Sequence, residues 1–157
     1  GSEECTVTMQ ALRHSQELLE ATWAGDAEKV ARLVEKAHDT TGNRTYNSEA
    51  ALSYAIRLAY YRAQEYYTLI QEMDTGKGYA DLVYLPSPKY PDKPALLVEL
   101  KYDKDADTGM DQIKRKQYFD GLEHYQGNLI LVSISYDRTE RSDGKEYKHH
   151  SCVMGRG

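Results

Sequence analysis

Gly78-Tyr-Ala-Asp-Leu-Val-Tyr-Leu-Pro86 and, after a loop, Ala95-Leu-Leu-Val-Glu-Leu-Lys101 decide how this chain reads. Both apolar runs are short, rich in Val, Leu and Tyr, and bounded by turn-forming residues, the pattern of buried strands. Each also carries charge where a core strand has none: Asp81 in the first, Glu99 and Lys101 in the second. Pairing the runs as a hairpin across the Pro86–Pro94 loop, with Leu85 opposite Ala95, sets Asp81 opposite Glu99. Side chains alternate along a strand, so Glu99 and Lys101 share one face while Leu96, Val98 and Leu100 take the other. Opposed carboxylates destabilise a sheet unless positive charge lies between them. A divalent cation, with Lys101 beside it, resolves the conflict.

Outward from this hairpin, helical spacing of Leu12, Leu18, Leu19 and Trp23 predicts a helix from about Met9 to Ala24. Gly25-Asp26 stops it, and Asp26 caps a second helix, with Val30, Leu33 and Val34 as its stripe, ending near Asp39. A polar linker, Thr40 to Asn47, leads to a helix capped by Asn47 or Ser48 and running to about Arg62. Glu49 sits in its first turn, where a carboxylate suits the helix dipole. Glu65 to Met73 reads as a strand, joined to the first strand of the hairpin by a tight turn at Asp74–Gly78. Gly76-Lys77-Gly78 lacks the flanking residues of a phosphate loop and reads as part of that turn. Beyond Lys101 come a polar stretch, a helix from about Met110 to Tyr125, and Leu129–Tyr136, a strand buried on both faces as in parallel pairing. A charged turn, Asp137 to Lys145, precedes a final edge strand, Glu146 to Met154.

The 157 residues suit one domain with a proper core. Fourteen tyrosines stand against one Trp and one Phe, so Tyr is expected to supply the core and rim aromatics, with stacking on bases as the lesser alternative. A net charge of −5 gives the whole chain no attraction for nucleic acid, so any such substrate must meet a local basic surface. Lys101 and Lys104, Lys114-Arg115-Lys116 and Lys77 are the candidates, while Lys89 and Lys93 read as solvated charge. Cys5 and Cys152 have neither metal nor redox spacing, which points to a reduced, cytoplasmic setting. No apolar run approaches the length of a membrane span. His14, His38 and the His149-His150 pair are expected at the surface. Gly1-Ser2 reads as a cloning remnant, implying a piece of a longer protein.

The chemistry that Asp81, Glu99 and Lys101 suit is phosphodiester hydrolysis. Hard carboxylate oxygens hold Mg²⁺ or Mn²⁺, ions that keep several waters and bridge to phosphate. The backbone carbonyl of Leu100 is a further candidate ligand. Lys101, two residues past Glu99, orients the attacking water or neutralises the transition state. The plain alternative is an Asp81–Lys101 or Glu99–Lys101 ion pair at a sheet end.

Gly78-Tyr-Ala-Asp81, Val98-Glu-Leu-Lys101, Gln112-Ile-Lys-Arg-Lys116-Gln-Tyr118 and Leu129–Asp137 together resemble the PD-(D/E)XK nuclease superfamily. The branch they look most like is the domain at the C-terminus of bacterial AAA-ATPase-like proteins. The resemblance implies an α/β fold with a restriction-endonuclease-like core, α-β-β-β-α-β, in which helices flank a mixed central sheet. It divides the chain into a helical lead-in at residues 1–44 and a nuclease-like unit at residues 45–157. It implies Asp81 and Glu99 as Mg²⁺ or Mn²⁺ ligands, Lys101 as the catalytic lysine, Glu49 as support for the metal's water shell, and Gln112 as a residue that supports the site or contacts DNA. The implied partners are nucleic acid, with DNA ahead of RNA and weak contacts from Lys104, Arg115 and Lys116, and an AAA-ATPase-like module elsewhere in the protein. A homodimer stays open. In some branches a tyrosine follows the glutamine by four residues; here Lys116 stands there and the tyrosine is Tyr118. A nuclease-fold module that binds or regulates without cutting is the alternative function, and the acidic balance favours it.

Overall fold

A computed structural model describes residues 2–40, 48–74, 79–116, 118–125, 127–139, 144 and 149–157. Helix α1 spans Ser2–Ala24 and ends at Gly25, whose φ of +74° is a conformation that glycine adopts without steric cost. The chain turns there and the Asp26 carboxylate accepts the Lys29 N–H at 3.1 Å, capping α2, Ala27–Thr40. Ser48 caps α3, Glu49–Ala59, through the Ala51 N–H at 3.1 Å. A 3₁₀ turn, Tyr61–Glu65, leads into three strands: β1 at Tyr67–Asp74, β2 at Tyr79–Pro86 and β3 at Ala95–Tyr102. Helix α4, Ala106–Lys116, and a 3₁₀ stretch, Tyr118–Tyr125, cross over to β4, Leu129–Tyr136, and β5, His150–Arg156, closes the sheet.

The sheet has the order β1-β2-β3-β4-β5, with β3 and β4 parallel and the other neighbours antiparallel. It is thus a mixed sheet flanked by helices, consistent with a restriction-endonuclease-like fold. The hairpin register is the one the sequence predicts: Leu82 pairs with Val98, Val83 with Leu97 and Tyr84 with Leu96. Strand β4 is buried along its whole length, as its unbroken apolar run requires between two layers of helices. On one face Leu82, Tyr84, Leu96, Val98 and Leu100 pack with Leu18, Val30, Leu52 and Ile56 from α1, α2 and α3. On the other, Val83, Ala95, Leu97, Leu129 and Leu131 pack beneath Met110 and Ile113 of α4. No helix among the described residues is long and apolar enough to cross a membrane.

Several boundaries move. The helix expected from Met110 begins at Ala106, because the Asp105 carboxylate caps it through the N–H and hydroxyl of Thr108, both at 2.7 Å. The helix expected to reach Arg62 stops at Ala59 and tightens into the 3₁₀ turn. The turn at residues 75–78, and the start of the expected last strand at residues 146–148, lie outside the described residues.

The histidine expectation needs correction. His38 and His150 are buried, 4% and 0% exposed, and Glu35 is buried with them. Oε1 of Glu35 accepts the backbone N–H groups of His149 and His150, at 2.5 and 3.0 Å, and lies 3.2 Å from the ring Nδ1 of His150. Glu35 and His38 are i, i+3 positions on α2 turned against the start of β5, a placement that sequence spacing alone does not reveal. Burial alone would raise the Glu35 carboxyl, but the hydrogen bonds from His150 and His149 outweigh it and bring it down to about 2. A lowered acid contributes stability above its ordinary value of 4.5 that is lost as pH falls towards about 2. Glu35→Ala is expected to cost about 3 kcal/mol at neutral pH, by leaving buried donors unpaired. Urea unfolding at neutral pH and near pH 3 checks this: the difference between variant and wild type should shrink in acid.

Candidate active site

The carboxylates sit where the β2–β3 ladder gives out. One step past the Leu82–Val98 pair, Asp81 Oδ2 accepts the N–H of Leu100 at 2.8 Å, so a side chain satisfies a backbone donor of β3. Alternation then turns Glu99 and Lys101 to the α4 side of the sheet. Glu99 is 3% exposed, and its Oε1 accepts the side-chain N–H of Gln112 at 2.8 Å. Lys101 donates to Gln112 Oε1 at 2.5 Å and stands 3.5 Å from Glu99 Oε1. Gln112 therefore bridges the acid and the cation through both ends of one amide, and the two bonds define which end is which.

Glu99 Oε2 is buried and receives no hydrogen bond from any donor among the described residues. The neighbouring Asp81 carboxyl can supply one only when a proton lies between the two acids. Burial pushes Glu99 up to about 8; the charge of Asp81 adds to this and Lys101 opposes it. Burial also raises Asp81, against the Leu100 N–H and Lys101. Without another cation, the pair thus holds a proton near neutral pH.

That state fits a divalent metal. Two carboxylates lie together, one oxygen among them lacks a partner among the described residues, and their burial and mutual repulsion would be relieved by a hard cation. Among the described residues no three His, Cys, Asp or Glu side chains could hold a metal, so water, the Leu100 carbonyl and substrate oxygens would complete the shell. Mg²⁺ tolerates this, because it habitually keeps several waters.

Helix α4 can lie this low because of Gly109. A Cβ there would overlap Ser133 Oγ and lie 3.2 Å from Lys101 Cγ. Ser133 Oγ in turn donates to the Ala106 carbonyl at 2.6 Å, pinning the first turn of α4 to β4. One helical turn after Gly109 comes Gln112. Glycine lowers helix propensity, so reading Gly109 as the end of a polar stretch hid its role.

The structure brings Asp81, Glu99, Lys101 and Gln112 together. Glu49 stands exposed in the first turn of α3, whose apolar side packs on the opposite sheet face. Lys104 is exposed just beyond β3. Arg115 and Lys116 lie in the last turn of α4, and their side chains, like that of Tyr118, fall outside the described residues.

Sequence reasoning missed Glu72. It lies in β1 between the Gln71–Leu82 and Met73–Ala80 pairs, beside Asp81, and its charge raises the Asp81 carboxyl. Its φ of +51° is unusual for a side-chain-bearing strand residue. Extending the hairpin count to β1 would have found it.

A family model for the PD-(D/E)XK nuclease superfamily matches residues 52–146, a span that includes Asp81, Glu99, Lys101 and Gln112. No curated protein sequence matches the chain.

Proposed function

The chain belongs to the PD-(D/E)XK nuclease superfamily, and from that premise we propose that it hydrolyses nucleic-acid phosphodiester bonds with Mg²⁺ or Mn²⁺. One observation carries the reading: a buried Asp81–Glu99 pair whose Glu99 Oε2 has no donor among the described residues, set beside Lys101. Asp81, Glu99 and the Leu100 carbonyl would hold the metal, which supplies a lowered water pKa and charge stabilisation at the phosphoryl oxygens. Lys101 presents its ammonium on the same side as Glu99, where it orients the attacking water and offsets developing negative charge. Gln112 holds that ammonium against drift and fixes the rotamer of Glu99. Asp81 anchors the end of β3 through Leu100, so the metal-binding strand cannot fray.

Glu49 would act only through the metal's water shell, and Lys104, Arg115 and Lys116 would contribute weak phosphate contacts. DNA is proposed ahead of RNA, and the AAA-ATPase-like module as the neighbour in the full protein; both rest on the motif resemblance. Incubating plasmid and single-stranded substrates with Mg²⁺ or Mn²⁺, with and without chelator, tests the reading. Cleavage that vanishes in chelator and in Asp81→Ala supports it, and cleavage unchanged in Asp81→Ala overturns it.

The net charge of −5 favours a second reading, a module that binds or regulates without cutting. Calorimetry with Mn²⁺ separates the two, since carboxylate-dependent heat is expected only where the metal site is intact.

A further inference from the structure

We propose that Glu72 is a third carboxylate of the candidate metal site, holding a water of the divalent cation on the solvent side of Asp81. This role rests on the metal reading of Asp81 and Glu99 and extends it to β1.

The three acids form one row across the sheet. Gln71 pairs with Leu82 and Met73 with Ala80, which sets Glu72 opposite Asp81; Leu82 pairs with Val98, which sets Asp81 opposite Glu99. Directly opposed residues of antiparallel strands hold their Cβ atoms about 5 Å apart, and like charges there repel. Neither acid pair belongs to the regular ladder. At Asp81 the carboxylate itself takes the Leu100 N–H, and at Glu72 the backbone turns to a φ of +51°. Three carboxylates opposed in this way need positive charge among them. Lys101, 3.5 Å from Glu99, brings one charge. The ionised row then keeps two negative charges, the complement of one Mg²⁺ or Mn²⁺.

The row also runs from the interior to water. Glu99 is 3% exposed, Asp81 is half-buried and Glu72 is exposed. At the inner end, Gln112 occupies Glu99 Oε1, which leaves Oε2 towards Asp81, within hydrogen-bond reach. That buried oxygen has no donor among the described residues, so it calls for a cation in a way that a solvated acidic face does not. At the outer end, Glu72 has no hydrogen bond or ion pair with any described residue, and its charge is felt at Asp81. No three acidic side chains among the described residues close directly on one ion. Glu72 therefore acts through a water, several of which such an ion keeps.

Mn²⁺ titration by calorimetry, on the whole chain without nucleic acid, tests this role. Glu72→Gln keeps the size and exposure of the side chain and should fold like the wild type. Its Mn²⁺ affinity should fall about tenfold, the loss typical when a group that holds a metal's bound partners is removed. The tenfold ratio should persist in about 1 M salt, where charges are screened beyond about 3 Å. Wild-type binding that Asp81→Ala abolishes but Glu72→Gln leaves unchanged would overturn the role of Glu72 and leave the Asp81–Glu99 site standing. A loss that disappears in salt also overturns it, because Glu72 would then act only as a distant charge. A wild type that binds no Mn²⁺ removes the metal reading and the role of Glu72 together. Cleavage is assayed separately with Mg²⁺, so the tenfold difference without cleavage would reject the nuclease reading and keep Glu72 at the metal site.

Discussion

Glu99→Gln is expected to make the metal-free protein more stable at neutral pH while abolishing metal binding and cleavage. Glu99 is pushed up to about 8, so folding at pH 7 requires uptake of a proton that the unfolded carboxyl, near 4.5, has released. A raised acid contributes its full stability below 4.5 and loses it as pH climbs towards about 8. From that window the wild type forfeits about 3 kcal/mol at pH 7, and glutamine, which never ionises, forfeits none. The amide also keeps an acceptor for Gln112 and can point an N–H at Asp81, replacing the shared proton with a permanent donor. Denaturant unfolding in chelator between about pH 4.5 and 8 should show the wild type losing more stability with rising pH than the variant. Excess Mn²⁺ should then stabilise only the wild type, by displacing the proton. Cleavage should fall about 10³-fold or more, the loss expected when several kcal/mol of charge stabilisation goes with the metal. A variant that binds Mn²⁺ like the wild type, or whose stability tracks pH identically, would refute this account of the pair.

Gly109→Ala should damage the site from outside it. The added methyl group would overlap Ser133 Oγ and crowd the Lys101 stem. Relief requires α4 to rise, which breaks the Ser133–Ala106 bond and lifts Gln112 off Glu99 and Lys101. Overpacking of this kind costs about 2 kcal/mol. A shift of about 1 Å in positioning groups costs about 10²-fold in rate. Removing the hydroxyl as well, in the Gly109→Ala/Ser133→Ala double variant, makes room and should restore part of both losses. Thermal unfolding and cleavage rates measured across the four proteins form the cycle that checks it. Strictly additive losses would show that the two residues do not meet as described.

Much of the site was legible because it is local. The β2–β3 register follows from counting across one loop, and the shared face of Glu99 and Lys101 follows from the two-residue period of a strand. Neither needs knowledge of anything distant in the chain. The burial of β4 on both faces, as in parallel pairing, was legible for a related reason: an eight-residue run with no polar alternation has to be covered on both sides.

What remained hidden depends on how separate elements approach one another. His38 and His150 look like surface residues until α2 brings Glu35 against the start of β5. Glu72 sits beside Asp81 only once a second hairpin is registered against the first. Gly109 looks like loop glycine until α4 is seen to need contact with Ser133. Strand periodicity and short loops constrain neighbours directly, and from them follow the strand order around the hairpin, the side on which the charges fall and the conflict between Asp81 and Glu99. Which helix covers those charges, how Gln112 bridges them and how far burial raises the two carboxyls emerge only in the folded chain. Those outcomes depend on burial and on distances between segments far apart in the chain, which no local pattern encodes.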